Sequence, residues 1–452
     1  MKFPQQSSQF IEQGVDFAQW QRQLVAYRDF FSKQNQQRWL LFVEDSYQFS
    51  LLFFALIAAK KQLILPPNGQ PLQVKQCMAH ADIFIGDLDG EADTDLDYPR
   101  FDIEQLAGID MTSHDELSFD LHSKISFFTS GSSGQAKAIE KSFGQLVTEV
   151  EQLEQTFTAH FADNCIVMAT VSHQHIYGLL FKLLWPLWAG RDLYLKTFAY
   201  PEHLVHQVKQ TPNASICLIS SPAYYHRLLA DNVLADIKSQ LSVLFSSGGP
   251  LNAQAAIDLQ QSLGITPIEV YGSTETGGIA WRQRQSIDDD IWQVFSAIQC
   301  HNDDSEQRLS ILSPYVDSAH WYRTDDRVEL LDKQRFKLLG RADRIVKIEE
   351  KRCSLDEIGL RLVEHSFVEQ AYVLVVGDAD KRRTLAAVVE LTEAGQEALA
   401  TSVKFKFDRL LKAHLKQYFE AIVIPRKFRY LTQLPFNSQG KLNKKHLETL
   451  FD

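Results

Sequence analysis

The sharpest chemical suggestion in the chain lies at Thr129 to Lys137, TSGSSGQAK, directly after the apolar run IleSerPhePhe at 125–128. A strand that runs into a loop of small residues leaves several backbone N–H groups open, and such a nest suits phosphate oxygens. Thr129, Ser130, Ser132 and Ser133 add hydroxyl donors beside Gly131 and Gly134, and Lys137 adds a positive charge. A Walker A loop needs Gly directly before its Lys and Ser or Thr after it. Ala136 and Ala138 stand there instead, which argues against kinases and ATPases of that class. Taken alone, the segment also fits a flexible Gly/Ser loop. His173 and His175 have the spacing to share one strand face and hold a metal, but no third ligand is apparent, and packed or surface histidines are commoner.

The elements that must position these residues follow from local pattern. The apolar run Trp39 to Val43, the helix-like stretch Leu51 to Ala59 and the run Gln62 to Leu65 suggest strands alternating with helices, as in an open α/β sheet. Short buried-strand candidates follow at 166–167, 216–219 and 243–245, each before turn residues and a helical pattern. Between Trp292 and Leu330 the runs shorten and polar punctuation increases, which predicts an antiparallel region. The fold class expected is α/β, with a large N-terminal domain of open α/β sheets (1–340) and a small α+β C-terminal domain (341–452) on a hinge.

The chain has 452 residues with 46 Lys and Arg against 57 Asp and Glu, a formal charge of −11. A nucleic-acid partner is therefore not expected. Residues 341–452 carry 20 Lys and Arg against 16 Asp and Glu, so the C-terminal part is net +4 within an acidic chain. Such an asymmetry suits either a solvated face or an anionic partner. The cysteines form no CxxC pair, and the longest apolar run, Leu51 to Ala59, is far short of a membrane span. No membrane insertion and a cytoplasmic, reducing location are the expectations.

With these motifs in view, TSGSSGQAK resembles the phosphate loop of the adenylate-forming (AMP-binding) superfamily, which includes acyl-CoA synthetases, aryl-CoA ligases, peptide-synthetase adenylation domains and luciferases. Further resemblances come in the family's order. SGGPL at 247–251, with Gly248, Gly249 and Pro250, is similar to the adenine-side turn. YGSTETG at 271–277, with Tyr271, Gly272 and Ser273, is similar to the motif that grips the α-phosphate and magnesium. YRTDD at 322–326 resembles the ribose motif, GRADRIVK at 340–347 the hinge, and LPFNSQGKL at 434–442 the C-terminal lysine loop.

The resemblance implies ATP and Mg²⁺ as cofactors and a carboxylic acid as substrate, activated as an acyl-AMP and passed to a phosphopantetheine thiol. It implies that Glu275 holds Mg²⁺, since a hard cation takes oxygen ligands, and that Thr274 donates to the α-phosphate. It puts Asp326 on the ribose hydroxyls, Arg341 on the ribose or phosphate side and Asp343 at the pivot. Lys441 would bring its charge between the substrate carboxylate and the α-phosphate. VSHQHIYGL at 171–179 resembles the acyl-pocket motif, which makes His175 the gating histidine and Tyr177 and Gly178 pocket residues, and the resemblance adds Gly277, at the end of YGSTETG, to the pocket.

The chain departs from the family pattern at Asp325, where Gly is usual, at Glu350, where the loop after the hinge usually has Gly, and at Leu355, where it usually has Pro. Glu350 puts free CoA in doubt as acceptor. These features resemble compact ligases of fatty-acid-like and aryl-polyene pathways, which implies an acyl carrier protein as partner, favoured over CoA. Carrier proteins are acidic, and the net +4 of the C-terminal part gives a physical reason for docking. A luciferase-type oxygenase shares the motifs. The alternative outside catalysis is an adenylate-binding scaffold of the same fold.

Overall fold

The computed structural model describes residues 9–10, 14–88, 98–109, 111, 116–130, 136–230, 233–303, 306–316, 320–348, 351–377, 384–436 and 442–451. They form two compact units. The first comprises residues 1–289, 293–298 and 312–320, and the second 290–292, 299–311 and 321–452.

The first unit is built on two largely parallel sheets. One runs Arg100–Phe101, Ile83–Gly86, Arg38–Phe42, Gln62–Leu65, Lys124–Ser130, Ala136–Ser142; only the last pair is antiparallel. The other runs from Gly277–Arg282 through Ile268–Ser273, Leu241–Ser246, Ser215–Ser220 and Cys165–Ala169 to Asp192–Thr197. The last five of these strands are parallel, while Gly277–Arg282 turns back antiparallel. The central strands are nearly continuous apolar runs because helices cover both faces. Helix Ser46–Ala58 shows the same logic: Leu51 to Ile57 are all at most 1% exposed, so it is apolar all round and needs no polar face. Each such Leu or Phe stabilises the fold by about 1.5–3 kcal/mol.

Parallel strands bring their carboxyl ends to one edge, where α/β sheets carry their ligands. That edge receives the loop after Ala169, Ser220, the Ser247–Pro250 turn and the Ser273–Thr276 turn. The strand Ala136–Ser142 passes directly into helix Phe143–Phe157. Ser142 caps that helix: its hydroxyl accepts from Gln145 N at 3.1 Å, and the Gln145 side chain accepts from Ser142 N at 2.8 Å. The strand and the first turns of the helix are thereby fixed to each other.

The second unit takes in most of the antiparallel strands Arg308–Leu312, Tyr322–Leu330 and Arg335–Arg341, as the shorter runs there predict. A hairpin Ile345–Ile348/Lys351–Ser354 follows, then a three-stranded sheet of Val368–Val376, Thr384–Leu391 and Lys427–Leu431. Helices Leu355–Val363 and Lys404–Leu415 close its core around Ile358, Leu362, Leu411 and Leu415. Among the described residues no helix is long and apolar enough to cross a membrane.

Candidate active site

In the first unit the structure brings Lys137 and Glu275 together across a long separation in the chain. Lys137 stands opposite Thr129 in the antiparallel strand pair Lys124–Ser130/Ala136–Ser142, and its Nζ lies 3.9 Å from Glu275 Oε1. Gly131, Ser132, Ser133 and Gly134 lie outside the described residues, as do Glu350 and Lys441. Thr129 and Ser130 end the strand that leads into the segment.

Glu275 and Thr274 sit on the turn between strands Ile268–Ser273 and Gly277–Arg282. Its shape is fixed locally, because Ser273 N donates to Thr276 Oγ1 (3.0 Å) and Thr276 N donates to Ser273 Oγ (3.2 Å). Gly272 and Gly277 are required by close approach. A Cβ on Gly272 would lie 2.2 Å from Gly277 O, and Gly277 itself has φ +68°. The Ser247–Pro250 turn is tied alongside, since Ser247 Oγ donates to Val270 O at 2.8 Å and Gly248 turns the chain at φ +87°.

Beneath the Glu275 turn lie two residues that the sequence reading did not single out. Lys141, 2% exposed, donates from Nζ to Tyr315 O (2.7 Å) and to Glu275 O (3.1 Å). Glu149, on helix Phe143–Phe157, accepts from Gly278 N at 2.7 Å. Burial pushes the Glu149 carboxyl up from the usual range and the Lys141 ammonium down, and each charge partly offsets the other's shift. The signal was present in the sequence. Lys141 repeats the strand face of Lys137, and Glu149 interrupts the apolar stripe Leu146, Val147, Val150, Leu153.

The segment carrying His175 is also pinned from behind. His175 precedes the short helix Ile176–Gly178, which continues as a π-helical turn, Leu179–Leu184. Gly178 permits this path, because a Cβ there would lie 2.0 Å from Ser172 O. Tyr177 donates its hydroxyl to Ser220 O at 3.1 Å and packs on Phe181, while Tyr225 is full core and donates to Phe245 O. His173 does not share a strand face with His175. It is buried in the loop, with Nε2 2.8 Å from Val43 O and Nδ1 2.8 Å from Ser46 Oγ, and Lys182 Nζ donates to the same hydroxyl at 2.9 Å and to Thr197 Oγ1 at 2.7 Å. A carbonyl can only accept, so Nε2 carries the proton and Nδ1 accepts from Ser46. Burial, then the nearby Lys182 charge, lowers the His173 imidazole to about 3.

In the second unit Asp326 and Arg341 are register partners on adjacent strands, and Arg341 Nη1 lies 3.7 Å from Asp326 Oδ1. Arg341 also forks onto Asp343, with Nε to Oδ1 at 2.8 Å and Nη2 to Oδ2 at 2.7 Å, and reaches Asp325 Oδ2 at 3.5 Å. The Asp343 bonds hold the guanidinium above its usual value. Burial alone would raise Asp343, but the bonds and charge of Arg341 bring it below the usual carboxylate range. Asp356 steadies the segment by accepting from Arg341 N (3.2 Å) and Arg344 Nε (2.8 Å). Asp325 is a third anion for Arg341, after Asp343 and Asp326, and a partner for Arg308.

The first unit thus combines parallel strands, a glycine-rich turn and a Lys–Glu pair, and the second an Asp–Arg–Asp cluster on antiparallel strands. Residues 123–298 match the AMP-binding enzyme family. The chain is 25% identical over 337 residues to a 4-coumarate–CoA ligase of Cereibacter sphaeroides, covering 74% of each chain. It is also 25% identical over 399 residues to a D-alanine–D-alanyl carrier protein ligase of Staphylococcus aureus, covering 80% of this chain and 79% of that one. The crystal structure of ATP-bound MatB from Rhodopseudomonas palustris superposes with a TM-score of 0.81 at 17% identity, over 97% of this chain and 93% of that chain.

Proposed function

We propose that the protein is an ATP-dependent acid–thiol ligase that activates an aryl or medium-chain acyl carboxylic acid and transfers it to a phosphopantetheine thiol. The observation that carries this reading is the pairing of Lys137, on strand Ala136–Ser142, with Glu275, on the turn at the carboxyl edge of the parallel sheet. A carboxylate is a poor electrophile. Attack of its oxygen on the α-phosphorus of ATP breaks the bond to pyrophosphate and leaves an acyl-AMP. The thiol sulfur then attacks the acyl carbon, the bond to AMP breaks, and the thiol proton is released.

The residues suit these steps. Lys137, its side chain 65% exposed, offers a point charge to phosphate oxygens. Thr274 is assigned a donor role to the α-phosphate, Asp326 accepts from the ribose hydroxyls, and Arg341 neutralises charge on that side. Asp343 is assigned as the pivot between residues 1–340 and 341–452, and Lys441 as the cation that offsets repulsion between carboxylate and α-phosphate. Glu275, with its side chain 30% exposed, supplies one carboxylate, and among the described residues no group of three or more His, Cys, Asp or Glu is arranged to hold a metal ion. One protein carboxylate, with phosphate and water oxygens completing the shell, suits Mg²⁺. Bound there, Mg²⁺ would neutralise charge on the phosphates.

An acyl carrier protein is the acceptor favoured over CoA. Helix Lys404–Leu415 and the next residue carry Lys404, Lys406, Arg409, Lys412 and Lys416 against Asp408, with Phe405 67% exposed, which suits an acidic protein surface. A cytoplasmic place in an aryl-polyene or fatty-acid-like pathway accords with that acceptor. The test is acid-dependent pyrophosphate release with hydroxylamine trapping, over hydroxybenzoates, cinnamates and fatty acids of graded length. Turnover with one class is expected. Lys441→Ala should abolish adenylation yet transfer a supplied acyl-AMP to the thiol. Intact ATP binding with silence across the panel would refute the ligase and favour the scaffold reading.

A further inference from the structure

The bonds between Ser273 and Thr276 give the Glu275 turn its shape, but they do not fix where the turn lies on the body of the unit. Two long-range contacts do. Lys141 Nζ is held by Tyr315 O at 2.7 Å and in turn holds Glu275 O at 3.1 Å. Past the turn, Glu149 Oε1 holds Gly278 N at 2.7 Å. One contact captures a carbonyl within the turn, the other an amide just after it, and both come from neighbouring parts of one continuous strand–helix segment.

We infer that Lys141 and Glu149 are positioning residues for the metal-binding carboxylate: they anchor the peptide of Glu275 inward so that its side chain is presented outward, beside Lys137. The inference rests on the reading of Glu275 as the Mg²⁺ ligand. Two observations support positioning over simple core filling. The Glu275 carbonyl is bound by a buried cation while its carboxylate stays partly exposed, so the two ends of one residue are separated by environment. The Glu149 side chain also fills the space behind Gly277, where a Cβ would lie 2.7 Å from Oε2 and 2.8 Å from the Tyr315 ring. The return of the chain after Glu275 is thus moulded on Glu149. An apolar pair of the same volume would preserve packing but give neither contact a direction.

The test measures ATP affinity by calorimetry with Mg²⁺ and with EDTA, in the full chain without acid substrate, so that turnover is not the readout. Lys141→Met alone leaves Glu149 buried without its counter-charge and threatens folding. The main variant is therefore Lys141→Met/Glu149→Gln, which removes both charges and leaves an acceptor for Gly278 N, with Glu149→Gln alone as the milder companion. The expected result is that the gain in ATP affinity from Mg²⁺ shrinks by about 10- to 100-fold in the double variant, the range typical when an outer partner of a metal ligand is lost. Affinity in EDTA should stay unchanged. A lowered melting temperature with an undiminished Mg²⁺ gain would overturn the positioning role and leave a merely structural one. Glu275→Gln, measured alongside, separates the two levels. If it loses the gain while the pair variants keep it, only the positioning inference fails; if it keeps the gain, the metal-ligand reading fails and takes the inference with it.

Discussion

Acidification should weaken the first unit through His173, by an amount that follows from its surroundings. The imidazole is 1% exposed, Nε2–H is committed to Val43 O, and Nδ1 faces a Ser46 hydroxyl that already accepts from Lys182. A proton on Nδ1 would oppose the Ser46 hydroxyl proton and sit near the Lys182 charge. The folded-state pKa of about 3 lies below the ordinary value of 6.5. Between those limits the unfolded chain takes up a proton that the folded chain refuses, so stability falls as pH drops below 6.5 and goes on falling until about pH 3. From pH 7 to pH 5 the loss is roughly 2 kcal/mol. The assay is urea unfolding followed by Trp fluorescence, since Trp20, Trp39 and Trp185 are buried in this unit. The wild type is compared with His173→Asn, which keeps a hydrogen-bonding group but does not titrate. The variant should be less stable at pH 7, and the gap should narrow by about 2 kcal/mol at pH 5. Parallel curves from pH 7 to 5 would refute the reasoning, because they would mean that His173 binds its proton equally in both states.

Glu269→Ala should destabilise by about 3–5 kcal/mol in the same unfolding assay, because it strips the carboxylate from Arg282 (2.7 and 2.8 Å) and Arg284 (3.2 Å), all three side chains being under a tenth exposed. Gly178→Ala forces Ser172 and the His175 segment apart by putting a Cβ 2.0 Å from Ser172 O; acid-dependent pyrophosphate release should fall about 100-fold while ATP affinity by calorimetry holds. Asp326→Asn should weaken ATP binding by about 1.5–3 kcal/mol, as expected for loss of hydrogen bonds to a charged acceptor; unchanged affinity would remove Asp326 from the nucleotide.

Where local pattern decides structure, the sequence was legible. The strand Gln62–Leu65 falls where its apolar run lies, and the runs at 166–167, 216–219 and 243–245 mark the centres of three parallel strands. The motifs singled out Lys137, Glu275, Asp326 and Arg341 one by one, but that Lys137 meets Glu275 and Asp326 meets Arg341 comes from the structure and not from the motifs. What stayed hidden depends on partners distant in the chain. Lys182 reads as an interruption of the greasy stretch 177–189, yet its ammonium is buried against Ser46 and Thr197. Nothing local to Lys182 announces Ser46, so no periodicity could find the contact. His173 was equally opaque: the spacing to His175 suggested a shared face, but a loop rather than a strand carries them.

Three groups of buried charged residues in the first unit lie on or behind the segments that carry the candidate residues, while Lys61 is buried apart from them against Gln34 O. Lys141 and Glu149 stand behind the Glu275 turn, Glu269 and Arg282 lie on the two strands that this turn joins, with Arg284 just beyond them, and Lys182 with Ser46 and His173 backs the His175 segment. Well-packed apolar side chains would often stabilise as much as such groups, because desolvation offsets most of their attraction. They differ from apolar contacts in direction. A methyl group against a turn limits how close it can come and leaves it free to tilt, whereas an N–H aimed at one carbonyl fixes both distance and angle. Tilt is what a catalytic carboxylate cannot tolerate, since a side chain amplifies any rotation of its peptide. A carboxyl edge of parallel strands brings candidate residues to one place, and buried directional bonds at the strand ends then hold their orientation.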